Sequence, residues 1–186
     1  QLASAQVVSL EPGLRAGVLF DHSLRIPVIA SVAVLDARGR TLVRLDPQQP
    51  DVQKAGRDFV ALHRPLDQQH LSIGHPWKGA DTDGYLLPLS RGYADAQGRF
   101  AGVVVVALRL DHFAELLGLL DLGAQSGANL FHADGTLLAR FPYVSRNVGR
   151  SLAGSSNLQR MQQASEGQFT GISTLDGVER LYAFRH

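Results

Sequence analysis

The sequence predicts an α+β fold built from two tandem units. Each is an antiparallel five-stranded sheet flanked by helices, and the second is truncated by its last strand. Three observations predict this. First, Val34-Leu35-Asp36-Ala37-Arg38-Gly39-Arg40-Thr41-Leu42-Val43-Arg44 returns as Leu130-Phe131-His132-Ala133-Asp134-Gly135-Thr136-Leu137-Leu138-Ala139-Arg140. The turn glycines Gly39 and Gly135 lie 96 residues apart, the size of a small domain, so one structural unit is used twice. Second, strand-length apolar runs are separated by Asp/Gly turns throughout. Third, helical spacing is confined to short windows between those runs.

The elements follow in order. Residues 1–30 form an N-terminal helical segment, with Val18, Leu19 and Leu24 as core contacts and Pro27 as its breaker. The first unit, 31–110, opens with a hairpin of Ser31–Leu35 and Thr41–Leu45 turning at Asp36–Gly39. After a loop marked by Pro47 and Pro50, Asp51–His63 places Val52, Ala55, Phe59 and Leu62 at helical spacing, with Asp51 as N-cap. Strands are expected at Leu71–His75, Tyr85–Tyr93 and Phe100–Leu110, the last two joined at Asp95–Gly98.

A linker helix, 111–123, is capped by Asp111, carries Phe113, Leu116, Leu117 and Leu120 on one face, and ends at Gly123. The second unit, 124–186, holds the hairpin Asn129–Phe141. A helix follows from Ser155 or Ser156 through Leu158 and Met161 to Gly167, and then a hairpin of Gln168–Thr174 and Glu179–Arg185 across Asp176-Gly177. It has no counterpart of Phe100–Leu110, so it is expected to be the less complete and less stable unit.

Composition narrows the function. The 186 residues carry 18 Lys/Arg against 17 Asp/Glu, a net charge of +1, with the basic residues scattered. That pattern argues against a nucleic-acid or anionic-lipid surface. The absence of cysteine excludes disulfides, thiolate metal sites and cysteine nucleophiles. No stretch approaches the roughly 18–20 apolar residues that span a bilayer. The chain opens at Gln1, shows no signal peptide, and is expected to be a soluble piece of something longer.

Catalytic motifs are missing too. There is no Gly-x-Ser-x-Gly elbow, Walker loop or Rossmann glycine fingerprint, and Asp36, Asp95, Asp134 and Asp176 all fall in turns. Of seven histidines, His63, His70 and His75 are spaced by 7 and 5 residues, unlike the i, i+4 pair of a hydrolytic zinc site. His22, His112 and His132 read as surface or turn residues. No catalytic residue, metal or cofactor is expected in this chain.

Several segments, taken in order, resemble the double Cache (PAS-like, PDC) sensor domains of bacterial receptors. Arg57-Asp58-Phe59-Val60-Ala61-Leu62-His63 resembles that family's Arg-x-(Tyr/Phe)-Phe-x-x-His helix. Leu71-Ser72-Ile73-Gly74-His75-Pro76 is similar to its Ile-Gly-x-Pro strand, and Pro88-Leu89-Ser90-Arg91 to its Ser-Arg strand end. Gly98–Val105 resembles its Gly-x-Phe-x-Gly-Val-Val strand, and Leu119–Gly123 with Asp134–Pro142 completes the set.

The resemblance covers roughly residues 30–186. It implies the periplasmic sensor of an inner-membrane protein whose output is a diguanylate cyclase, preferred over a histidine kinase. The ligand would be a small molecule held in the first, membrane-distal unit. The longer Tyr/Arg/Trp/Asp signature of the amino-acid-binding subgroup is not found, so an amino-acid ligand is not supported. The alternative reading is a ligand-free structural module of the same receptor, acting as a homodimer.

Residue by residue, the candidate ligand contacts are Arg57, His63, His75, Trp77, Tyr85 and Arg91. Arg57 or Arg64 would offer a carboxylate a bidentate guanidinium, and the bland alternative is a solvated helix face with Phe59 and Leu62 inward. His75 and Trp77 would supply a polar tip and an aromatic wall, or simply edge-strand packing. Strand alternation puts Tyr85 and Arg91 on one face and Ser90 on the other, and Tyr85 with Arg91 is the preferred pair.

Overall fold

A computed structural model describes residues 26–44, 53–65, 70–78, 84–120, 122–123 and 125–186, without the side chains of 53–55. The expected N-terminal helix, apart from its end at Ile26–Ile29, the Pro47–Pro50 loop and the Asp51 cap lie outside the described residues. The chain divides into two units between Leu110 and Asp111.

In the first unit the strands are β1 (Ile29–Asp36), β2 (Thr41–Arg44), β3 (Leu71–Ile73), β4 (Trp77–Lys78), β5 (Tyr85–Ala94) and β6 (Phe100–Arg109). One helix, α1 (Gln53–His63), lies between β2 and β3 in sequence. The antiparallel sheet runs β2-β1-β6-β5-β3, and β4 also pairs with β5. The strand expected at Leu71–His75 is therefore shorter, and a second piece, Trp77–Lys78, shares its edge. Leu71–Ile73 lies against Leu89–Arg91, and Trp77–Lys78 against Tyr85–Leu86.

Between those pieces Gly74 N–H donates to Pro88 O at 2.9 Å. The N–H and C=O of a strand residue point to the same side, so the donor missing at Pro88 would have faced this broken edge. The β5–β6 ladder loses nothing to the proline. Gly74 is required as well, since a Cβ there would sit 2.7 Å from Pro88 Cγ.

The hairpin turns are built by side chains. Asp36 Oδ1 accepts from the N–H groups of Arg38 and Arg40, both at 2.9 Å, and Oδ2 accepts from Arg40 Nε at 2.7 Å. Asp95 repeats this with Gln97 and Arg99, at 2.9, 2.9 and 2.8 Å. The two turns share the pattern Asp-Ala-x-Gly-Arg, with Gly39 and Gly98 left-handed at φ 81° and 78°. The recurrence inside the first unit is thus closer than the one between units, where His132 stands in place of the aspartate.

β6 forms the spine of the sheet. Val103 and Val105 are buried with Ala33, Leu35, Phe59 and Val60 on the α1 side, while Val104 and Val106 pack beside Val32 and Val43 on the other. Burial on both faces explains why β6 reads as an unbroken apolar run.

The phase of α1 differs from the sequence expectation. Gly56, Phe59, Val60 and His63 face the sheet, and Leu62 is 46% exposed. A glycine and a histidine hold two of the four inward positions, so apolar spacing alone misplaced the face. Gly56 is inward because the turn of the first hairpin presses on the helix. A Cβ on Gly56 would lie 2.5 Å from Gly39 O, and Arg64 Nη2 donates to Ala37 O at 2.8 Å in the same turn.

The second unit holds most of α2 (Leu110–Gly118), then β7 (Ala128–Phe131), β8 (Leu137–Phe141), α3 (Ser156–Met161), β9 (Glu166–Ile172) and β10 (Glu179–Arg185). Its sheet is two separate hairpins, β7-β8 and β9-β10. In the first unit β6 stands between β1 and β5, whereas no described strand stands between β7 and β10. Two helices stop earlier than expected. α2 ends at Gly118, and Leu119 and Leu120 beyond it are exposed, so no burial favours continuing the helix to Gly123. α3 ends at Met161, and Gly167 lies within β9, where a Cβ would touch the Phe184 ring at 3.0 Å.

Ion pairs brace the two hairpins. Asp176, in the β9–β10 turn, accepts from Arg140 Nη2 of β8 and Arg180 Nη1 of β10, each at 2.7 Å. The Arg180 bond, aided by Ser173 and Arg140, holds the Asp176 carboxyl well below the usual carboxylate range despite partial burial. A depressed folded pKa means this contribution is present at neutral pH and is lost only in strong acid.

The Gly56–Gly39 contact yields a stability prediction. Alanine is the better helix former by about 1 kcal/mol, yet the clash with Gly39 backbone should dominate. Gly56→Ala is expected to destabilise the first unit by about 1–3 kcal/mol, the usual cost of overpacking. Trp77, the sole tryptophan, lies in that unit and reports its urea unfolding by fluorescence. A variant as stable as the parent would show that the turn yields freely.

Candidate functional site

The inward face of α1 ends in a polar residue. His63 is 0% exposed, and its Nε2 lies 2.9 Å from Ser90 Oγ on β5. Its Nδ1 is buried without a hydrogen-bond partner. Burial pushes the imidazole below its ordinary pKa, and the charge of His70 acts in the same direction. Ser90 is itself 3% exposed, so a hydroxyl and an imidazole are enclosed together between helix and sheet.

Register extends this face. Ser90 pairs with Val105, which packs against α1, and Ser72 pairs with Ser90. Cross-strand partners share a face and residues two apart along a strand do too, so Leu86, Pro88 and Ser90 all point toward the helix. Trp77 pairs with Leu86 and joins the same side. The covered face therefore passes from an aliphatic centre to a polar and aromatic patch of Ser72, Trp77, Ser90 and His63.

The six expected contacts divide accordingly. His63 is buried on this face, and Trp77 lies on it half-buried. Tyr85 and Arg91 lie on the opposite face, where Tyr85 pairs with Lys78 and Arg91 with Leu71. They share a side with each other but not with His63. Arg57 is exposed on α1, and His75 is exposed between β3 and β4. Alternation along β5 separated Ser90 from Tyr85 correctly, but it could not say which side the helix would cover. Ser90 is the residue that sequence reasoning passed over, and its signal was a lone serine among the apolar inward positions of β5.

On the other side of this sheet's turn region, Tyr93 Oη donates to Leu35 O at 3.2 Å. Burial raises the phenol pKa, with the Asp36 charge adding to it, so Tyr93 is a structural donor. In the second unit a hollow has Phe131, Leu158, Met161 and Tyr182 in its lining. Phe131 comes from β7, Leu158 and Met161 from α3, and Tyr182 from β10.

Comparison with known proteins adds to this geometry. Residues 110–186 match the family model dCache_1_like, described as a histidine kinase sensor domain. A search of the curated proteins finds no match. Among solved structures the chain is similar to the extracellular domain of rpHK1S-Z16, described as a histidine kinase. Identity is 26% with a TM-score of 0.82, covering 97% of this chain and 77% of that one. It also shares its fold with the periplasmic sensory domain of the Campylobacter jejuni chemoreceptor Tlp1, at 14% identity and TM-score 0.69, covering 99% and 76%. A third similar structure is the ligand-binding domain of the Pseudomonas fluorescens chemoreceptor CtaA, solved with L-serine. There identity is 21% and the TM-score 0.62, covering 97% and 75%.

The buried pair is open to test. Ser90→Ala removes the partner of His63 Nε2, an expected loss of about 1–3 kcal/mol in the first unit. Urea unfolding followed at Trp77 measures it. A change within about 0.5 kcal/mol, the range of ordinary surface substitutions, would show that the contact carries no weight.

Proposed function

We propose that the chain is a Cache-type extracytoplasmic sensor domain that senses a small molecule in its first unit and passes the signal to a cytoplasmic output domain. The likeness to the rpHK1S-Z16 extracellular domain over 97% of the chain is the observation that carries the reading. Support for the place comes from the geometry. Small-ligand pockets combine apolar walls with a few fixed polar groups, and the α1-covered face offers both at His63, Ser90, Ser72 and Trp77.

The output is proposed to be a histidine kinase. The matched family description and the rpHK1S-Z16 domain both favour it over a diguanylate cyclase, the output that the sequence resemblance placed first. Signal transfer requires only that the ligand bind one arrangement of the domain better than another. The neighbours solved with small amino acids, L-serine for CtaA and GABA for PctC, put compounds of that size first in any screen. A carboxylate on the ligand has Arg57 as its candidate partner, on the same helix as His63.

Thermal denaturation against amino acids, organic acids, amines, purines and sugars tests the proposal. One chemical class should raise the melting temperature, with about 2.7 kcal/mol of added stability at a hundredfold excess over Kd. Trp77→Ala should raise the apparent Kd at least about tenfold, as expected when an aromatic wall worth over 1.4 kcal/mol is lost, which about halves the stabilisation at that ligand concentration. Arg91→Ala, on the other face, should leave it intact. No shift from any class, with dimerisation that ignores every compound, would favour the ligand-free structural module instead.

A further inference from the structure

His63 closes the inward face of α1, and the fold gives it no means of carrying a charge. Among the described residues its only hydrogen-bond partner is Ser90 Oγ, and Nδ1 is enclosed with none. A neutral imidazole tolerates this seat. With the proton on Nε2 it donates to Ser90 and leaves only a lone pair unpaired. A protonated imidazole does not. Both nitrogens then donate, Nδ1–H has no acceptor, and a full charge stands in an apolar interface.

The charges of the described residues offer no relief. On α1 itself Arg57, Asp58 and Arg64 are exposed, and Arg64 is committed to Ala37 O. On β5, Tyr85 and Arg91 lie on the far face, and Tyr93 donates to Leu35 O. On β6, Arg109 donates to Pro27 O. On the β1–β2 turn, Asp36 is paired with Arg40. Lys78 of β4 is opposite Tyr85 and shares its face. His70, just past the helix, also repels a positive charge at His63.

We propose that His63 is an acid-released latch: neutral, it pins the last turn of α1 to β5 through Ser90, and protonated, it leaves that seat and frees the end of the helix. An extracytoplasmic domain meets the acidity of the outside medium directly, so the latch would make α1 responsive to external pH without any ligand. The direction follows from burial of the neutral form. The unfolded state binds the proton more readily, so the first unit loses stability as pH falls below about 6.5, the unperturbed value. The loss continues until the folded value is reached.

The full chain tests this by NMR, with no ligand added. In the parent, His63 should stay neutral below the pH at which an ordinary histidine is half-charged, and protection factors along α1 should fall about tenfold per pH unit through the window below about 6.5. Protection in β9 and β10 should hold across the same window. In His63→Gln, which does not titrate and can still reach Ser90, α1 protection should change by less than about twofold over that range. Two results would overturn the latch: a His63 that titrates with the other histidines while α1 stays protected, or an acid loss in His63→Gln equal to the parent's. The parent titration decides the matter even where the variant fails to fold.

Discussion

The seating of α1 on its sheet is the contact from which the rest of the first unit follows. Two unlike devices hold it. Near the helix start, Gly56 brings the backbone of α1 against the Gly39 turn, an approach that any side chain would forbid. At its end His63 reaches Ser90. Between them Phe59 and Val60 close over Val103, Val105, Ala33 and Leu35, each such side chain adding about 1.5–3 kcal/mol when fully buried. The apolar middle supplies most of the energy. The glycine contact and the buried pair fix where along the sheet the helix sits, and so which residues of β5 it covers.

That placement decides what the domain can do chemically. A helix turned by one residue would cover different side chains and leave Ser90 without a partner. As built, the polar groups nearest the helix end are neutral ones, a hydroxyl and an imidazole, with an indole on the same face. An apolar wall with a few fixed polar groups suits recognition of a small molecule. The second unit achieves order by other means. Its hairpins are not joined in one sheet, and Asp176 with Arg140 and Arg180 ties them by charge where the first unit uses β6.

Much of this was legible in the residues. The Asp/Gly turns, the valine run of β6 and the hairpins of both units come from local chemistry, since a turn aspartate and a twice-buried strand each leave a distinct pattern. Three features were hidden, each for a physical reason. The phase of α1 was obscured because Gly56 and His63, neither of which counts in an apolar pattern, occupy inward positions. The break in the edge strand was obscured because it depends on Pro88 in β5, a residue distant in sequence. The side of the sheet that carries the polar patch was obscured because alternation gives two faces and tertiary packing chooses one. Ser90 looked incidental until the helix was placed over it.

The central claim is that the α1-covered face of the first unit is where a ligand acts. The most direct measurement is amide hydrogen exchange on the full chain, with and without the compound giving the largest thermal stabilisation. The account predicts slowed exchange in α1 and β5, strongest around His63 and Ser90, with β9 and β10 unchanged. Protection confined to the β9–β10 hairpin, or changes in the second unit that leave α1 untouched, would contradict it.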